Sequence, residues 1–295
     1  MSPIFFTTDD GDTLLRASPE SGSNHDFRVH RLILSLASPV FKDMFYFAQP
    51  SDQSEHLGIP VINLPDSPEV LDVILRFIYP GVEPPKFTDL TILSALLSAA
   101  DKYNIASMYP VLRDALKTFI PEESFRVYIV ACRFGFLEEA KAAAMASTPR
   151  NISLQKAHEK EVRNISGIDL YRLVWFVNER EESARDSIEF FGSIVCENSR
   201  PIREHWKDSD DFYGRLRKRL LEVFTKDPGT QPPDFSRVLE ELPDPPLGCG
   251  LEDLDPRKKM CPLRPSYIRD SLARLVIELD GISDNLLKQA FGKEF

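Results

Sequence analysis

Asp12 and the dipeptide His30-Arg31 are the first side chains of this sequence equipped to do more than fold it. A carboxylate and a guanidinium at the ends of two short strands can form a partly buried ion pair. Such a pair either locks a fold or recognises a partner. His30 has no second His or Cys near it in sequence, so it reads as a structural residue closing a strand rather than a ligand or base. Cys132 falls in a helical pattern and reads as core. Cys249 and Cys261 have eleven residues between them and no close His, whereas a zinc site wants paired ligands two to four apart. "RLRKRL", Arg215 to Leu220, is a basic cluster, but "KDSDD" just before it supplies the opposite sign and makes it a solvated helix face. Trp206 reads as a small satellite core. Glu138-Glu139 and Glu181-Glu182 are neighbours on helices and diverge, so neither is a catalytic pair. G-x-S-x-G, H-E-x-x-H, the P-loop, G-x-G-x-x-G and C-x-x-C are all missing from the sequence. No catalytic residue, cofactor or metal is therefore assigned. The alternative is an enzyme whose site lies in residues 201–295.

Composition sets the frame for these groups. The 295 residues are 42% hydrophobic, enough for real cores, and length suggests about two domains. Net charge is -10; residues 1–120 carry 9 Lys+Arg against 15 Asp+Glu, and the remainder 27 against 31. Neither part offers the basic field that nucleic acid or an anionic membrane requires. No apolar run reaches the roughly 18 residues of a membrane span. "MSPIFFTTDDGD" has no basic leader region. With four scattered cysteines (Cys132, Cys196, Cys249 and Cys261), an intracellular setting is expected, cytoplasmic or nuclear.

The positioning elements can be read along the chain. "DTLLRAS" and "DFRVH" pair as strands around "PESGSNH", with Phe27 and Val29 on one side. "RLILSLA" shows Leu32, Ile33, Leu36 and Ala37 on one helical face. Ser38 caps the next helix and Pro39 opens it, so "FRVHRLILSLASPVFKDMF" is a helical hairpin joined by a cap. "IPVINL" is a third strand, placed at an edge because Pro60 cannot donate to a ladder. "DSPEVLDVILRFIYPG" is a helix with a Ser67 cap and a Pro80-Gly81 stop. "FTDLTILSALLSAADKYN" and "MYPVLRDALKTF" follow as helices. After Pro121 the pattern is helical, with Gly135 as a stop, separate helices over "DLYRLVWFVNERE" and "SARDSIEFFGSIVCEN", and others near Asp211–Phe224 and Tyr267–Leu279.

This order of elements, with "DFRVHRLILSLASPVFKDMF", "IPVINLPDSPEVLDVILRFIYPG" and "LLSAADKYNI", resembles the BTB/POZ domain over roughly residues 9–119, most like fungal members. In that likeness Asp12 takes the acidic position of the first strand and His30-Arg31 the His-Lys/Arg pair. The resemblance implies an α+β BTB/POZ fold, a small sheet with a cluster of short helices, over residues 1–120. A helical extension over 121–200 and a helical C-terminal region with loops over 201–295 would follow. It further implies a non-catalytic protein–protein interaction module, an adaptor or scaffold. Its implied partners are a second copy and, as in many relatives, a cullin scaffold. Residues 53–55 read Gln-Ser-Glu, whereas cullin-binding members often place a hydrophobic residue two positions before a Glu. The short stretch before Asp12 lacks the long helix of the most intimate dimers, so the expected homodimer is a weak one.

Two sets of residues are expected to divide the labour. Leu32, Leu36, Phe41, Phe45, Phe77, Leu93 and Leu97 share the core. Asp12, His30, Arg31, Leu34, Met44, Tyr46 and Phe47 form the interaction surface, because one small core cannot bury every apolar group of the hairpin.

Overall fold

A computed structural model of the chain describes residues 8–18, 25–47, 55–56, 58–82, 86–149, 152, 162–193, 218–219 and 265–292. The chain forms two compact units, Met1–Thr118 and Phe119–Phe295.

The first unit is α+β. Strands β1 (Thr13–Arg16) and β2 (Asp26–Val29) pair antiparallel, Thr13 opposite Val29 and Arg16 opposite Asp26. Helices α1 (Arg31–Ala37) and α2 (Pro39–Tyr46) follow directly. A two-residue strand β3 (Glu55–His56), not expected from the sequence, runs antiparallel to β4 (Ile59–Asn63), and β4 lies parallel to β1. The strand order is β2-β1-β4-β3, so β4 is not the edge strand expected from Pro60. The proline is tolerated because the ladder to β1 begins one residue later, at Val61 opposite Leu14, and Pro60 faces Glu55 of β3. Its carbonyl takes the hydroxyl of buried Thr13 at 3.1 Å.

Helices α3 (Pro68–Ile78), α4 (Leu90–Lys102) and α5 (Tyr109–Thr118) complete this unit. Ser67 caps α3 as expected, and Asp89 caps α4. Gly81, at φ 77°, turns the chain after α3. Leu90, Leu93, Leu96, Leu97, Ala100 and Tyr103 are all buried, which is the broad apolar side read from α4. Phe77 and Phe45 are only half-buried.

The second unit is helical where described. Helix α6 (Ile120–Arg133) packs on α7 (Leu137–Ala146), and α8 (Gly167–Ser193) packs on α9 (Pro265–Phe291). Gly135, at φ 70°, ends α6 as expected. Two helices were expected within 167–193, but α8 is continuous: no Gly or Pro interrupts the Glu181–Ser183 junction, and Arg185 bonds Glu181 across it at 2.8 Å. The helix expected near Asp211–Phe224 lies, apart from residues 218–219, outside the described residues. Buried Arg180 of α8 donates to the carbonyls of Met145 at 2.7 Å and Ser147 at 2.5 Å, satisfying the open end of α7. Burial pulls its guanidinium down to about 10, partly offset by Glu181. Cys132 is a free thiol, half-buried rather than the core residue expected from its helical pattern; burial is the main cause pushing it up to about 12, and the Tyr128 hydroxyl opposes that rise.

Candidate protein-interaction surface

Ser38 is where the hairpin is fixed. Its hydroxyl accepts the Phe41 N–H at 3.1 Å, capping α2, and donates to the Tyr103 carbonyl at 2.5 Å. The Tyr103 ring stacks on Phe41 with centroids 4.6 Å apart. Its hydroxyl donates to Asp66, which also holds the Lys102 ammonium at 2.5 Å. Burial first, and then the Asp66 carboxylate, push the Tyr103 phenol far up. Leu34, Ser38 and Phe41 are therefore the inward residues, each fully buried.

This phase corrects two expectations. Leu34, placed on the interaction surface from sequence, is core. Leu32 and Leu36, assigned to the core, are 70% and 81% exposed. The reason is that α1 has about two turns and five apolar residues among seven, so periodicity cannot choose its inner face. The polar anchors at its two ends choose it instead. Asp12 Oδ1 accepts the Arg31 N–H at 2.8 Å at the start, and Ser38 binds Tyr103 at the end.

The outward face carries Leu32 and Leu36 from α1, with Tyr46 at 80% and Phe47 at 67% exposure at the end of α2. Tyr46 and Phe47 meet edge to face at 5.6 Å. Met44 is half-buried. The Arg31 guanidinium sits 5.7 Å over the Phe45 ring, which brings the start of α1 beside the end of α2.

At the rim, Asp12 and Arg31 meet through main chain and carboxylate, not as the ion pair read from sequence; Arg31 Nε is buried with no hydrogen-bond partner among the described residues. His30 is held on three sides. Its N–H donates to the Tyr79 hydroxyl at 2.7 Å, its Nδ1 lies 3.1 Å from that hydroxyl, and its Nε2 lies 3.1 Å from Asp10. Burial raises the Tyr79 phenol, the His30 N–H opposes that rise, and Asp12 and Asp10 add to it. Gly11 is required here: a Cβ would lie 2.7 Å from the Val29 backbone. Tyr79 and Tyr103 were missed as partners because each is far away in sequence. Their only signal was a polar tip at the end of an apolar helix.

A small mixed sheet, a capped helical hairpin and an exposed apolar face with a polar rim define a class of protein-binding module. Residues 12–120 match the BTB/POZ domain family and form a BTB/POZ domain, a protein-interaction module. TD and POZ domain-containing protein 5 of Mus musculus is 29% identical over 123 residues, 42% of this chain and 35% of that protein. TD and POZ domain-containing protein 1 of Mus musculus is 34% identical over 94 residues, 32% of this chain and 24% of that protein. The matched stretch thus spans about a third or less of these relatives. Among the described residues no helix is long and apolar enough to cross a membrane.

Proposed function

We propose that this chain is a non-catalytic interaction protein, an adaptor or scaffold acting in an intracellular setting. It self-associates weakly through the outer face of the α1–α2 hairpin, and the helical unit after Thr118 serves a client. The carrying observation is the exposure of Leu32, Leu36, Tyr46 and Phe47 on one short hairpin whose inner face is sealed. Water-exposed apolar groups gathered in this way mark interaction sites, since scattered ones need no explanation. A two-fold contact of ordinary stability buries about 1,200–2,000 Å² in total, and a face this short belongs at the low end of that range.

Sedimentation velocity of the full chain over a dilution series tests the reading. The wild-type chain should pass from monomer to dimer with concentration, and Leu36→Lys should hold it monomeric. A wild-type chain that is monomeric at its highest attainable concentration defeats the proposal, as does a Leu36→Lys chain that dimerises equally well.

A further inference from the structure

The outer side of α2 carries two charged residues, and they are sequence neighbours of opposite sign, Lys42 and Asp43. Both are exposed. Asp43 precedes Tyr46 and Phe47 by three and four residues, so it shares their side of the helix. Neither Lys42 nor Asp43 makes an ion pair or side-chain hydrogen bond with another described residue. Successive helical residues point about 100° apart, so these two do not neutralise each other within the chain.

The surroundings make this pair informative. Residues 1–120 carry 9 basic against 15 acidic side chains, a balance that repels a second copy. Among the described residues, α2 itself bears one charge of each sign amid apolar groups, and Arg31 of α1 reaches over Phe45 beside them. A helix bearing both signs on a net-negative unit suits a copy of itself better than an acidic or basic partner. Two hairpins related by a two-fold axis can be arranged in two ways. One sets Lys42 against Lys42 and Asp43 against Asp43, which is repulsive. The other sets each Lys42 against the second copy's Asp43, which is attractive. Like charges across an interface exclude a register more strongly than opposite charges stabilise one.

We propose that Lys42 and Asp43 are the specificity pair of the hairpin face, selecting a second copy of this chain in the register that crosses the pair. The inference rests on the self-association reading above and names its register.

Full-length Lys42→Glu and Asp43→Lys variants test it. The first carries two negative charges at this spot and the second two positive ones. Both positions are exposed, so both variants should melt with the wild type. Each alone should self-associate at least about tenfold more weakly. Mixed in equal amounts they should form the mixed dimer at near wild-type affinity, counted by native mass spectrometry with one variant isotope-labelled. Wild-type affinity in both single variants overturns the proposal, and so does a mixed dimer formed only in the statistical proportion. Leu36→Lys separates the two readings. If it abolishes association while the charge variants behave as wild type, the register alone is wrong. If it changes nothing, the face itself is wrong.

Discussion

On the inner face of the α1–α2 hairpin, Leu34 and Phe41 are fully buried beside a serine; on the outer face, Leu32, Leu36, Tyr46 and Phe47 stand in water. Both faces carry large apolar side chains. What separates them is where the polar anchors sit. Ser38 satisfies both an α2 amide and the Tyr103 carbonyl, so these two main-chain groups keep partners where Leu34 and Phe41 are dehydrated. The second unit solves the same problem with a charge: Arg180 closes the end of α7 and bears the desolvation that lowers its pKa. The difference teaches that, in this chain, hydrogen bonding decides which apolar groups become core and which are left for a partner.

The sharpest way to break this contrast is Phe41→Ala. Loss of a fully buried ring stacked on Tyr103 should cost about 3–5 kcal/mol in urea unfolding. A loss below about 1 kcal/mol would place Phe41 outside the core. Ser38→Ala comes next. It deletes the α2 cap and leaves the Tyr103 carbonyl unsatisfied, so about 1–3 kcal/mol should vanish although almost no apolar area is removed. A neutral result would mean that the anchor does not set the phase.

Alkali tests the same node. The Tyr103 phenol is raised in the folded state, so its contribution to stability is complete below the ordinary tyrosine pKa of about 10 and is lost as pH rises above it. Thermal stability should fall above about pH 10, and Tyr103→Phe should soften that fall. An identical alkaline profile in the variant would remove Tyr103 as the cause. The smallest expected effect on folding is that of Leu36→Ala, within about 0.5 kcal/mol because the side chain is 81% exposed. A larger loss of stability would return Leu36 to the core.

Much of the fold was legible because its signals are local. Ser67 before Pro68, the long apolar side of α4, and Gly135 after α6 each act within one or two turns of their own element. The hairpin's existence was legible for the same reason, through Ser38-Pro39. Its phase was not. With apolar residues at Leu32, Ile33, Leu34, Leu36 and Ala37, α1 offers several faces of similar hydrophobicity, and the choice depends on Asp12, Tyr79 and Tyr103, up to 65 residues away. Strand β3 escaped notice because a two-residue strand has no period. Of the residues expected on the surface, Tyr46 and Phe47 are exposed, Met44 is half-buried, and Leu34 exchanged places with Leu32 and Leu36.

The central claim is that the outer face of the hairpin is held for a partner rather than for the core. Hydrogen–deuterium exchange of the full chain at low and high concentration tests it most directly. The account predicts that peptides covering residues 31–47 gain protection as concentration rises, while those covering α4, already sealed in the core, do not change. Association without added protection in 31–47, or with protection confined to another segment, would contradict it.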